Sequence, residues 1–147
     1  MKKRGKEELD DKLYQQLVKV TEEGNQFYDA GDYQKALAKF EQGLAILPPP
    51  IEKWEASTWC LASIGDALFL LGRYEEAHQH LSHAVVCPGG LGNSFIHLRL
   101  GQVQFELGNI DRAKDELARA YMGGGSEIFA AENPKYLTFL RRYMRDI

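Results

Sequence analysis

The stretch Gly65-Asp-Ala-Leu-Phe-Leu-Leu-Gly72-Arg-Tyr-Glu-Glu-Ala77 decides the fold, because the chain carries its pattern three times. An earlier copy reads Gly24-Asn-Gln-Phe-Tyr-Asp-Ala-Gly31-Asp-Tyr-Gln-Lys-Ala36, and a later one Gly101-Gln-Val-Gln-Phe-Glu-Leu-Gly108-Asn-Ile-Asp-Arg-Ala113. In each, two glycines lie seven residues apart and an alanine follows five residues after the second. Four residues past that alanine comes a large apolar side chain, and seven past it a tiny one: Phe40 and Gly43, Leu81 and Ala84, Leu117 and Ala120. Self-similarity at a near-constant period marks a stack of identical supersecondary units.

Each recurring residue has a mechanical reason. The first glycine falls inside a helix, where it costs about 1 kcal/mol relative to alanine, and a glycine kept there permits close helix–helix approach. The second ends that helix in the left-handed conformation favoured just past a helix C-terminus. Asp32, Arg73 and Asn109 then open the turn, and Asp32 and Asn109 are good N-caps for the next helix. The tiny residues of the second helix let it cross the first closely, with the apolar residue between them filling the gap.

This pattern resembles the tetratricopeptide repeat, a helix-turn-helix unit of about 34 residues. The resemblance covers roughly residues 17–50, 58–91 and 94–127. It implies an all-α fold, a right-handed superhelical stack of three hairpins forming a single domain over 1–147. Pro48 stands where the family usually places its terminal proline. The glycine spacings are 41 and 36 residues, so Pro48-Pro49-Pro50 implies a longer first connection or an extra turn near Glu52. The aromatic that the family often carries early in its first helix is replaced by Val20, Leu61 and His97.

The two ends read as caps, which a solenoid needs over its exposed apolar faces. An extended first helix is predicted to start near Lys6 or Glu7, with Leu9, Leu13, Leu17 and Val20 on one side. Gly123-Gly124-Gly125 breaks the chain after Tyr121-Met122, and Ser126 caps a short turn carrying Ile128 and Phe129. Asn133-Pro134 is an N-cap followed by proline at the first helical position. A capping helix over about 134–146 then carries Tyr136, Leu137, Leu140 and Tyr143 at helical spacing and docks on the third repeat.

The bulk properties narrow the function. A net charge of −3 and a pI near 5.8 argue against a general nucleic-acid binder; Lys2-Lys3-Arg4 and Arg141, Arg142 and Arg145 read as solvated ends. Two cysteines, Cys60 and Cys87, make no disulfide framework. No apolar run follows Lys2-Lys3-Arg4 and no stretch approaches about 18 apolar residues. The expectation is a soluble cytoplasmic protein with no signal peptide and no membrane contact.

The family resemblance implies that the first helices line a concave groove receiving a peptide or helix of another protein. Counting from each first glycine, the groove residues are Thr21, Asn25, Tyr28 and Asp29, then Trp59, Ala62, Asp66, Phe69 and Leu70, then Phe95, Leu98, Gln102, Phe105 and Glu106. Aromatic anchors with a few polar groups suit protein recognition; the other reading of Phe69, Leu70, Phe95 and Phe105 is burial between hairpins. A clamp for a C-terminal carboxylate, known in the family, is disfavoured: Asn25 matches, but Thr21 and Ala62 stand where bases are wanted and Arg99 is the only nearby cation. The leading expectation is an adaptor or scaffold. The tail from Tyr121 to Leu137 also resembles that of small bacterial repeat proteins, which implies an alternative, an immunity or inhibitor protein neutralising a toxin or enzyme. The acidic groove residues Asp29, Asp66 and Glu106 would suit a basic partner. A homodimer through exposed aromatic residues or the terminal helix is a third alternative.

Catalytic and metal signals are weak. His80 and His83 share a helix face while His78 lies about 200° away, and a zinc site wants four ligands, or three and water. Gly123-Gly124-Gly125 lacks the Lys-Ser/Thr of a phosphate loop, and no Cys-His or Ser-His-Asp arrangement emerges. The expectation is a non-enzyme with no cofactor, catalytic residue or metal.

Overall fold

Six helices pair off as the repeats predict: α1 (Asp11–Asp29) with α2 (Tyr33–Ile46), α3 (Glu55–Leu70) with α4 (Tyr74–Val85), and α5 (Ser94–Glu106) with α6 (Ile110–Gly124). A seventh, α7 (Lys135–Arg141), follows, and 3₁₀ turns occupy Ile51–Lys53 and Ser126–Phe129. The structure, a computed structural model, describes residues 8–147, and no strand occurs among them. The second helix of each hairpin packs on the first helix of the next, giving a right-handed superhelical stack.

The repeated residues do what their chemistry implies. Within each hairpin the first glycine lies against the large apolar residue of the second helix. A Cβ on Gly24 would fall 2.6 Å from Phe40 Cε1, one on Gly65 would strike Leu81, and one on Gly101 would fall 2.5 Å from Leu117 Cγ. Phe40, Leu81 and Leu117 are buried in consequence. The second glycines, Gly31, Gly72 and Gly108, have φ of 80°, 77° and 83°. Paired turn bonds, such as Gly31 N to Tyr28 O at 3.0 Å and Asp32 N to Phe27 O at 2.8 Å, close each first helix, the glycine-terminated motif that satisfies its last carbonyls.

Capping follows the sequence only in part. Asp32 accepts from Lys35 N at 3.2 Å, but Asn109 does not cap α6: its Nδ2 donates to Gln104 Oε1 at 2.7 Å. Asn93 caps α5 instead, accepting from Ile96 N at 3.1 Å. The 3₁₀ turn at Ile51–Lys53 supplies the extra turn expected near Glu52, and Trp54 after it is buried, its indole donating to Pro48 O at 2.7 Å.

The ends need three corrections. First, α1 starts at Asp11 rather than near Lys6 or Glu7, which lie outside the described residues. Asp10 is extended and its carboxylate accepts from Lys12 N and Leu13 N, so the helix cannot begin earlier; Leu9 instead joins a core of Leu17, Leu47, Trp54 and Cys60. Second, α6 runs through Gly123 and Gly124 and stops at Gly125, where φ is 66°. Gly123 lies against Ser94 Oγ, and a Cβ on Gly124 would fall 3.0 Å from Ile128, so both glycines permit close packing and only the third breaks the helix. Third, α7 ends at Arg141, short of 146. The chain then turns back, seating Met144 and Ile147 on the last core and the Arg141 Nε on the Ile147 carbonyl oxygen at 3.0 Å. Asn133 does cap α7, accepting from Lys135 N at 2.9 Å.

The glycine–leucine contact gives a direct test. Gly101→Ala gains about 1 kcal/mol of helix propensity but forces a methyl group to 2.9 Å from Leu117 N, and overpacking of this kind costs about 1–3 kcal/mol. Because a backbone atom cannot rotate away, urea unfolding should find Gly101→Ala destabilised by up to about 2 kcal/mol, and more than Gly65→Ala, whose three nearest obstacles are all Leu81 side-chain atoms.

Candidate partner-binding groove

A polar chain crosses the inner faces of the first helices. The Arg99 side chain on α5, in a residue only 4% exposed, donates from Nε to Asp66 Oδ1 of α3 at 2.8 Å. Its Nη1 donates to Gln102 Oε1 at 2.8 Å and to Glu132 Oε1 at 2.6 Å, and Gln102 Nε2 donates to the same Glu132 oxygen at 2.8 Å. Tyr28 of α1 and Asp66 perturb each other's ionisation, which places the phenol beside this cluster. The guanidinium carbon lies 4.9 Å from the Phe69 ring centre and 5.0 Å from that of Phe95, within range of cation–π attraction. One cation thus serves two carboxylates. Burial pushes the Asp66 carboxyl above its ordinary range, against the pull of Arg99 and Tyr28 and with Glu132 adding to the push. Burial and the Asp66 charge raise the Tyr28 hydroxyl.

The sequence-predicted groove residues divide into two sets. Trp59, Ala62, Asp66 and Phe95 line one cleft of about 370 Å³ between α3 and α5, with Glu55, Thr58, Ser63, Pro88, Gly89 and Asn93 completing its wall. Trp59 is 44% exposed and meets Phe40 edge-on at 6.3 Å. Asn25 and Asp29 are exposed on α1, Tyr28 is half-buried against Tyr33, and Leu70 is exposed at the end of α3. Of the remaining residues, Phe69, Phe105 and Glu106 are half-buried, and the other three face the protein's own interior. Thr21 is buried, its hydroxyl donating to the carbonyls of Leu17 and Val18, because Gly43 brings α2 against it. Leu98 and Gln102 are buried, and as accessible groove residues these three are corrected.

The cover over Leu98 and Gln102 is the C-terminal segment. Glu132 reaches Arg99 and Gln102. Tyr136 of α7 stacks near Phe69 at 6.5 Å and edge-on to Phe105 at 5.4 Å, and Phe139 meets Phe105 at 5.1 Å. Glu106 accepts from the Tyr136 hydroxyl at 2.6 Å and from Lys135 Nζ at 2.7 Å. Burial tends to raise the Glu106 carboxyl, but those two hydrogen bonds and the Lys135 charge outweigh it and hold it below the ordinary range. Burial and the Glu106 carboxylate raise the Tyr136 hydroxyl.

Sequence reasoning passed over Glu132, for which no spacing signal exists. For Arg99 a signal was present: a lone cation inside the apolar run Phe95-Ile-His-Leu98-Arg99-Leu100 needs a buried partner. The histidines face separate partners: His80 Nδ1 lies 2.9 Å from Glu76 O, His83 Nε2 2.7 Å from Glu52, and His78 Nε2 3.4 Å from Ser82 Oγ. Among the described residues no group of three His, Cys, Asp or Glu side chains is placed to hold a metal, and no helix is long and apolar enough to cross a membrane. Cys60 and Cys87 are unpaired and buried, and burial pushes the Cys60 thiol up to about 12.

Two perturbations should separate the roles of these charges. Arg99→Ala leaves the buried Asp66 and the half-buried Glu132 without their counter-ion and should cost about 3 kcal/mol in urea unfolding. Glu106, held below its unfolded pKa, lends stability that is complete above that value and is lost as pH falls through the folded one. Thermal unfolding between about pH 5 and pH 3 should therefore weaken Glu106→Gln less than wild type.

No protein-family model matches the sequence, and no curated protein does. Solved structures do. The C-terminal TPR-containing domain of a Plasmodium falciparum FK506-binding protein aligns at 18% identity over 92% of this chain and 91% of its own, with a TM-score of 0.71. The second TPR domain of human RPAP3, in complex with the HSP70 peptide SGPTIEEVD, aligns at 21% identity over 88% and 96%, TM-score 0.66. The Yersinia enterocolitica type III secretion chaperone SycD, in complex with a peptide of the translocator YopD, aligns at 14% identity over 87% and 92%, TM-score 0.65. The hairpins, their glycine-terminated turns and these alignments agree: the chain has the tetratricopeptide-repeat fold.

Proposed function

We propose that this chain is a protein-interaction module that takes a peptide or helical segment of a partner along the inner face of α1 and α3, as an adaptor or scaffold. The observation that carries the reading is the cleft of about 370 Å³ with Trp59 standing 44% exposed at its wall. A large aromatic beside a concave, partly apolar surface is the kind of anchor that dominates interface energies. Two of the similar structures hold peptides, which supports the same use of the fold here.

The working surface is Asn25, Tyr28, Asp29, Trp59, Ala62, Asp66 and Phe95, since Phe105 and Glu106 are engaged by α7. A clamp for a ligand's C-terminal carboxylate finds no support. Thr21 spends its hydroxyl on its own helix, Ala62 is apolar, and Arg99 is buried against Asp66 and Glu132.

The test is selection of a phage-displayed random peptide library on the wild-type chain, followed by affinity measurement of the selected peptides. Trp59→Ala should weaken them at least about tenfold, the loss of a hot-spot residue. Met122→Ala, in an exposed residue of a separate cleft beside Leu91, should bind as wild type. Circular dichroism must show all three equally helical. Selected peptides indifferent to Trp59→Ala would remove the groove from this reading.

A further inference from the structure

We propose that the cleft between α3 and α5 selects a cationic side chain, lysine or arginine, of the bound segment, and that Glu132 is the residue that sets this preference. The inference rests on the groove reading above and names the chemistry of its ligand.

Charge and access both favour a cation in this cleft. Two carboxylates, Asp66 and Glu132, share the one guanidinium of Arg99, so the buried cluster retains an unbalanced negative charge when both are ionised. Asp66 is the member of that cluster that also lines the cleft. The wall contains no Lys or Arg. A carboxylate entering the cleft would meet like charge. It would also find Arg99 out of reach, its side chain 5% exposed and wedged between Phe69 and Phe95. A guanidinium or ammonium meets the opposite situation: it offsets the surplus charge beside Asp66 and has the aromatic groups of Trp59 and Phe95 in the same wall, a favourable setting for a cation.

The helix ends at the mouth of the cleft do not reverse this. Glu55 occupies the first turn of α3, and at α5 the Asn93 side chain already accepts from Ile96 N, so both positive helix ends have an acceptor or anion against them. Asp66 lies eleven residues beyond Glu55, outside the first-turn range of that field. Burial raises the Asp66 carboxyl, and the Glu132 charge adds a smaller push in the same direction, as surplus negative charge in the cluster would.

Glu132 is a specificity-determining residue because it acts through Arg99 and does not line the cleft. Without its charge, Arg99 and Asp66 form a neutral pair and the preference for a cation weakens. Glu132→Gln keeps a carbonyl oxygen to accept from Arg99 and Gln102, so the fold is retained while one charge is removed.

The experiment is NMR titration of the full chain with N-acetyl-arginine amide and, separately, N-acetyl-glutamate amide. The Trp59 indole N–H is the reporter, and the buried Trp54 indole, bonded to Pro48, is the internal control. Arginine amide should shift Trp59 with a Kd on the order of millimolar, leaving Trp54 still, while glutamate amide shifts neither. In Glu132→Gln the arginine affinity should fall about threefold, with the amide spectrum otherwise that of the folded wild type. Equal response to glutamate amide, or unchanged arginine affinity in Glu132→Gln, overturns the proposal. The peptide selection separates it from the groove reading. Trp59-dependent peptides without a basic residue would sink the charge preference and leave the groove. No selected peptides, with arginine amide still shifting Trp59, would sink the groove reading and leave the charge preference.

Discussion

The close approach of two helices at a glycine is the constraint on which everything else in this chain depends. Gly24, Gly65 and Gly101 each stand where a methyl group would collide with Phe40, Leu81 or Leu117. Bare backbone at those points lets each hairpin close to the separation at which its large apolar residue is fully covered. Three hairpins closed in the same way stack in the same way, and the first helices come to lie side by side. The polar chain across them follows from that arrangement. Counted from the local glycine, Tyr28 is at +4 (28−24), Asp66 at +1 (66−65) and Arg99 at −2 (99−101). Each step along the stack moves the participating residue by three, about one helical turn. The network is therefore a diagonal across the inner face, set by the offset between consecutive hairpins.

That diagonal explains which parts of the groove were readable from sequence. Counting by register correctly brought Trp59 and Phe95, both six residues before their glycine, to one cleft with Ala62 and Asp66. It failed at Gln102, which holds the same +1 position as Asp66, and at Leu98, which holds the same −3 position as Ala62. Register states which face a residue is on; it does not state what stands against that face. In the second repeat the neighbouring α5 leaves an opening. In the third, the segment from Phe129 to Leu140 fills it. Thr21 failed for a local reason, since Gly43 lets α2 press on it and its hydroxyl finds backbone carbonyls within its own helix, the default for a buried threonine there.

The ends were least legible because their signals are ambiguous one residue at a time. A charged run such as Lys6-Glu7-Glu8 favours helix, yet an aspartate at position 10 with two amides on its carboxylate fixes the start later. Three consecutive glycines read as a break, yet a helix tolerates glycine wherever another element must come close, and Ser94 and Ile128 do so at Gly123 and Gly124. Only Gly125, with positive φ, has the conformation that ends a helix. The repeats were legible because the same compromise appears three times. The caps occur once each, so nothing in the chain repeats their logic.

The cover over the third repeat is anchored by its own core. Tyr136, Phe139 and Leu140 are buried together with Leu98, Leu117 and Phe129, so lifting α7 would expose one of the chain's main apolar clusters, and Glu106, Arg99 and Gln102 would lose partners in the same movement. A buried ion pair is seldom a net source of stability, because desolvation offsets much of the attraction; the apolar contacts supply the anchoring. What the Arg99–Glu132 contact adds is placement, holding Glu132 over the guanidinium and leaving Asp66 as the member of the cluster that lines the cleft. A cleft between helices that are already packed needs little ordering to receive a ligand, and preorganised surfaces discriminate through the contacts they present. The cleft presents an exposed indole, a phenylalanine and a carboxylate that shares the Arg99 guanidinium with Glu132.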